Sequence, residues 1–271
     1  MSGQIIGLRD APSGGMTHWL NSPLGAYMLD WERAEFERSV VDIFGYHALQ
    51  LGLPELDTLR GNRMQHRWLA QSDGAVPLAE TSLITDFAAL PFPQASLDLV
   101  TLPHTLELSG DPHDTLSEVE RVLVPEGRVV ISGFHTNSLW GFRQRRTQLY
   151  RRLGLGTVFV EETQEWIAYR RLRDWLRLLG FEVESARFGC YRPAFDSPRW
   201  MERCAWMDTA GARWWPIFGA AYFLVAVKRV RGMRKLEPTW KTRTQRGTAP
   251  AVAARRDAAE AAPHPSAGPG P

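Results

Sequence analysis

The sequence predicts an α/β fold in which helices cover both faces of a mostly parallel sheet. Two observations carry that expectation. The run Leu97 to Pro103 (LDLVTLP) is apolar at nearly every residue, as a strand buried on both faces must be. A helical stripe and then a second apolar run, Arg128 to Phe134 (RVVISGF), follow it closely. Strand, helix and strand at that spacing call for a right-handed crossover in a parallel sheet. The chain has 271 residues, 44% of them apolar, enough for one sizeable core.

Taken in order, residues 1–22 are rich in Gly and Ser and read as a flexible N-terminus. From Pro23, Leu24, Tyr27, Met28, Trp31, Phe36 and Val40 recur at helical steps, and Phe44-Gly45 offers a stop. His47 to Leu53 reads as a short strand ended by Pro54, and Ser82 to Asp86 as another. After Pro103, Asp111-Pro112 supplies an N-cap with Pro in the first turn. Leu116, Val119, Val122 and Leu123 form the stripe, and Pro125-Glu126-Gly127 is a turn before the next strand. Residues 136–164 read as an insertion. Ala168, Leu172, Trp175, Leu176 and Leu179 then define an amphipathic helix closed by Gly180, with strands expected at Phe181 to Phe188 and Ala220 to Val227. The main domain is therefore placed at 23–232, and 233–271 reads as a basic, then Ala/Pro-rich, disordered tail.

The net charge of +2 is unevenly spread. From Lys228 onward, ten lysines and arginines stand against Glu237, Asp257 and Glu260, so the body is mildly acidic and the tail basic. Two cysteines, Cys190 and Cys204, make neither a disulfide framework nor a zinc motif. Met1 to Asp10 lacks the cationic start and apolar run of a signal peptide. The longest apolar-rich stretch, Trp214 to Val227, falls short of the roughly 20 residues a membrane-spanning helix needs. These features point to a cytoplasmic protein with no integral membrane segment and no metal site. GxGxxG and Walker patterns are absent, which removes the main support for nicotinamide or P-loop nucleotide binding.

One ordered series of blocks goes further. Asp86-Phe87, Leu90-Pro91-Phe92-Pro93, Ser96-Leu97-Asp98-Leu99-Val100 and Leu106-Glu107 come first. Asp111-Pro112 and Arg121-Val122-Leu123-Val124-Pro125-Glu126-Gly127 follow them. This series resembles the central blocks of class I S-adenosylmethionine-dependent methyltransferases, in particular the type 11-like subgroup that acts on small molecules. Leu179-Gly180-Phe181-Glu182-Val183 matches the family's pattern before its penultimate strand, and the resemblance spans roughly 45–135 and 165–228. It implies a three-layer, Rossmann-like methyltransferase sheet with an antiparallel last strand. It further implies S-adenosylmethionine as cofactor, held beyond the carboxyl ends of the strands.

On that resemblance Gly52 belongs to the cofactor loop, Gln50 stands where the family has an acid, and Asp86 pairs with the adenine, with Phe87 beside it. Pro103 and His104 complete the cofactor wall. The glycine-rich loop is degenerate: Pro54 replaces a second glycine and brings no N–H. The nearest ribose-binding acid is Asp73. His104 and His135 follow strands at the edge where donor and acceptor should meet, and each is a candidate general base or a structural histidine. Asp98, at the start of a buried strand, reads as structural. Trp140 reads as a core or lid anchor, or as a stacking surface. The function expected is methyl transfer to a small-molecule substrate. The eroded loop supports an alternative, a methyltransferase-fold binding or regulatory protein with weakened catalysis. Arg143, Arg145, Arg146, Arg151, Arg152, Arg170, Arg171, Arg173 and Arg177 support a second alternative, an RNA methyltransferase or RNA-binding protein.

Overall fold

The computed structural model describes residue 16 and residues 19–72, 80–152, 166–194 and 197–229. All of these fall in one compact unit, and the expected tail lies outside the described residues. Among the described residues seven strands form one sheet: β1 (His47–Leu51), β2 (His66–Gln71), β3 (Leu83–Ile84), β4 (Leu97–Pro103), β5 (Leu123–Phe134), β6 (Phe181–Gly189) and β7 (Ala221–Lys228). Their order is β3-β2-β1-β4-β5-β7-β6. Only β7 runs against its neighbours, pairing antiparallel with both β5 and β6. The expected fold class is the observed one. The carboxyl ends of the other six strands therefore share one edge.

Helix α1 (Pro23–Val40) starts where Ser22 Oγ accepts from the Gly25 N–H at 3.1 Å, with Pro23 in its first turn. It buries Leu24, Met28, Phe36 and Val40 on one face of the sheet, Phe36 meeting Phe223 edge-on at 4.9 Å. The helix ends at Val40 rather than near Gly45. Asn62 supplies the stop by donating through Nδ2 to the carbonyls of Val40 and Ile43, at 2.8 and 3.0 Å. Residues 16, 19 and 20 also depart from expectation: Met16, Trp19 and Leu20 are buried in this core layer rather than loose.

Strand β1 stops at Leu51, two residues early, because Gly52 and Leu53 take positive φ (73° and 40°). Asp98 fastens its other end, accepting from the N–H groups of Tyr46 and His47 at 2.8 and 3.0 Å. Gly45 permits that approach: a Cβ there would stand 2.4 Å from the Asp98 side chain. Short β3 is flanked by two further bonds to β2, Ser82 N–H to Leu69 O and Thr85 N–H to Gln71 O.

A single turn, α2 (Thr105–Leu108), follows β4, and α3 (Pro112–Val122) begins where Asp111 accepts from the N–H groups of His113 and Asp114. The expected 125–127 turn lies within β5 as an irregularity, with Glu126 at φ 66°. Beyond β5 come α4 (Leu139–Arg152), α5 (Tyr169–Leu178), α6 (Pro198–Arg203) and α7 (Trp206–Trp214). The last two carried no clear periodic signal. The opposite core layer joins Leu49, Leu51, Phe87, Leu90, Val100 and Leu102 to α3 and α5.

Candidate functional site

The candidate residues lie along the carboxyl edge. Gly52 follows β1, Asp86 and Phe87 follow β3, Pro103 ends β4 with His104 next, and His135 follows β5. Strand β2 separates Gly52 from Asp86 in the sheet, yet the two regions meet. A Cβ at Gly52 would stand 3.7 Å from the Phe87 ring and 3.6 Å from Thr105 Oγ1. Phe87 is buried in that contact. Asp86 is exposed, and its Oδ1 accepts from the Ala88 N–H at 2.9 Å.

Gln50 is buried and fully engaged. Its amide nitrogen donates to the carbonyls of Gly52, Leu53 and Leu56, and its oxygen accepts from Thr58 N–H at 2.9 Å and Thr58 Oγ1 at 2.7 Å. Thr58 Oγ1 lies 2.7 Å from Thr101 Oγ1, which ties the network to β4. Gln50 shapes the loop after β1 and leaves no amide hydrogen for a cofactor, which corrects its expected binding role. It also lines a pocket of about 250 Å³ with Pro54, Asp57, Arg67, Trp68 and Glu80. Asp73 lies outside the described residues.

His104 is the most constrained residue of the edge. It is fully buried, in a left-handed conformation (φ 51°). Its Nδ1 lies 2.6 Å from Glu107 Oε2 and its Nε2 2.9 Å from Glu32 Oε1. Burial is the largest influence on the imidazole and opposes its charge. The two carboxylates together outweigh burial and pull its pKa to about 10. Burial pushes the Glu107 carboxyl up, and His104 and the Phe134 N–H, 2.5 Å from Glu107 Oε1, pull it back. Gly133 makes room here, since a Cβ would meet Tyr222 Oη at 2.6 Å and Glu107 Oε1 at 2.8 Å. Glu32 Oε2 is buried with no hydrogen-bond partner.

An imidazole already charged at neutral pH, with both nitrogens engaged and no exposure, cannot collect a substrate proton. That corrects the expected base role of His104: it locks α1 to the ends of β4 and β5. It also has no nitrogen left for a cofactor. His135 is different. It is buried, its pKa is lowered by burial, and Nδ1 stands 3.2 Å from the Gly219 carbonyl. In the neutral ring Nδ1 therefore carries the hydrogen, which leaves Nε2 as the basic nitrogen.

Trp140 is fully buried, donates to the Arg192 carbonyl at 2.8 Å, and meets Trp19 edge-on. It is a core anchor. Arg170, Arg171 and Arg177 of α5 point to solvent, while the side chains of Arg151 and Arg152 lie outside the described residues. Burial holds the Cys190 thiol well above its usual pKa, so it is not an activated nucleophile. A second hollow, of about 580 Å³, lies at the end of β6 between α1 and α7. Its walls include Tyr27, Trp31, Phe188, Tyr191 and Asp208. Nothing in the local sequence marked it, because its walls come from three separated segments.

Comparison with known proteins agrees with the sheet order. Residues 60–131 match the family model described as a methyltransferase domain. The uncharacterized protein YafS of Escherichia coli (strain K12) is 32% identical over 153 residues, 54% of this chain and 57% of that protein. The chain thus matches little more than half the length of that relative. Among solved structures, a chain of the Haloferax volcanii complex between the Trm112 methyltransferase activator and a methyltransferase superposes with a TM-score of 0.52 at 18% identity. The match covers 80% of this chain and 96% of that one. A Thermotoga maritima S-adenosylmethionine-dependent methyltransferase gives 0.49 at 14% identity, covering 79% and 100%. The methyltransferase-domain match thus lies on the central segment, residues 60–131, and the likeness to the Haloferax volcanii chain is one of fold.

Proposed function

We propose that the protein transfers the methyl group of S-adenosylmethionine to a small-molecule acceptor at the carboxyl edge of the sheet. The observation that carries this reading is the meeting of Gly52 and Phe87 there, beside the exposed carboxylate of Asp86. Gly52, at φ 73°, presents bare backbone where any side chain would begin to fill the contact with Phe87 and Thr105. That suits a cofactor that must approach the main chain closely. Gly52, Asp86, Phe87 and Pro103 would hold the donor, with Asp86 accepting from an amino group and Phe87 offering an apolar wall. The cofactor supplies an already activated methyl group, so the chain's task is to position an acceptor and exclude water. His135, neutral and with Nε2 as acceptor, is the residue suited to take the acceptor's proton.

The test is calorimetric titration with S-adenosylmethionine. Binding is expected, and Asp86→Ala should weaken it by about tenfold, the loss of one charge-assisted hydrogen bond. Unchanged affinity would displace the adenine site from Asp86. A second reading, a methyltransferase fold that binds ligands without efficient transfer, is favoured by the engaged Gln50 amide and by Pro54, which offers no N–H. It predicts no methyl transfer even with cofactor bound. An RNA acceptor would show itself as copurifying RNA lost at high salt.

A further inference from the structure

The segment between β6 and β7 differs from the other described residues in how it places its tryptophans. Elsewhere Trp19 and Trp140 are buried, and Trp31, Trp68, Trp166 and Trp175 are partly buried. Here Trp200, Trp206, Trp214 and Trp215 are all exposed, Trp206 at 63% and Trp214 at 75%. Ile217 and Phe218 continue the surface, so every residue of 214–218 faces solvent. Contiguous exposed apolar surface of this kind marks an interaction site.

The charges around it select a partner. Arg199, Arg203 and Arg213 are exposed, against Glu202 as the one exposed carboxylate of residues 197–218. Asp208 is already held by Arg192 at 2.8 Å and by the Tyr27 hydroxyl. The Arg203 guanidinium lies over the Trp200 ring at 5.3 Å. Tryptophan beside arginine on a short helix is the composition of a segment that lies in a bilayer interface, indole at the headgroup level and guanidinium on phosphate. No described helix is long and apolar enough to cross a membrane. A second exposed apolar strip lies on α4. Leu139 and Phe142 of α4 are exposed, with Arg145 and Arg146 beyond them. This helix is tied to the chain leading into α6 by Trp140 to the Arg192 carbonyl and Arg143 to the Ala194 carbonyl.

We propose that α6, α7 and the turn at 214–218 dock the protein on an anionic lipid bilayer. The same segment supplies Asp208, Thr209, Ala212 and Pro216 to the wall of the 580 Å³ hollow, so docking places that aromatic-lined space beside the lipid surface. The proposal needs no methyl transfer and stands or falls apart from it.

The experiment is cosedimentation of the full chain with phosphatidylcholine vesicles, with and without phosphatidylglycerol, using lipids brominated near the headgroup. Expected are sedimentation with the anionic vesicles, weaker sedimentation with the neutral ones, and quenching of tryptophan fluorescence. Replacing Trp206 and Trp214 together by Ser should lower binding by about tenfold or more and abolish much of the quenching. Its thermal midpoint should not change, since both side chains are exposed. If that midpoint falls, Ile217→Ser with Phe218→Ser gives the same comparison on an independent pair. Equal sedimentation of wild type and variants would assign binding to the basic tail and overturn the proposal. So would absence of sedimentation, or a dimer by light scattering that the variants dissociate. Loss of S-adenosylmethionine binding would sink the transfer reading and leave the vesicle result intact.

Discussion

The two halves of the carboxyl edge solve the same problem with different chemistry. Beside β1, a neutral amide organises the chain: Gln50 makes five hydrogen bonds to the loop at 52–58. Beside β4 and β5, the work is done by charge, with His104 held between Glu32 and Glu107 in a fully buried site. Buried charge is costly unless paired and hydrogen-bonded. The His104 site must therefore stay complete, whereas the Gln50 site has no charge to neutralise. One half should respond to pH, and the other should not.

The largest expected effect is that of His104→Ala, which leaves Glu32 and Glu107 facing each other without a cation. Urea unfolding should show a loss of about 3–5 kcal/mol. A loss below about 1 kcal/mol would mean that the three groups are not coupled as their distances indicate.

The pH dependence sharpens the comparison. His104 has a folded pKa of about 10, above its usual 6.5. Its stabilisation is fully present below the unfolded value and is lost as pH rises through about 10. Wild-type stability should fall across that alkaline window, and the His104→Ala protein should lack this component. Matching alkaline profiles in the two proteins would remove the charged state from the account.

Gln50→Ala should cost about 2–3 kcal/mol, because Thr58 and the loop carbonyls lose their partner inside the protein. It should do so equally at neutral and at alkaline pH. A pH-dependent loss would join the two halves into one network. The smallest effect is that of Gly52→Ala. There is space for the methyl group, so the cost is backbone strain at φ 73°, about 1 kcal/mol, read as a lowered melting temperature.

Much of this fold was visible before any coordinates. LDLVTLP and RVVISGF are apolar because their strands are buried on both faces, and Asp111-Pro112 starts a helix by local hydrogen bonding. Asp98 was placed correctly as a structural group. The end of α1 was misplaced because its stop is Asn62, 22 residues away from Val40. Met16, Trp19 and Leu20 looked loose because Gly and Ser around them hide a contact that only Phe134 and Trp140 complete. His104 drew attention as a base because its position after β4 is right. What converts it into a locked cation is Glu32, 72 residues earlier on α1.

The sequence alone determined the buried strands at 97–103 and 128–134, the helix that Asp111-Pro112 starts and the parallel core of the sheet, since periodicity and turn residues act over a few residues to a few tens. Tertiary structure decided which polar groups are free to act. A side chain's protonation and availability depend on neighbours brought together from distant segments, and on how far those neighbours exclude water. Hence Gln50 and His104 proved to be engaged in holding the edge together, and Trp206 and Trp214 stand in solvent.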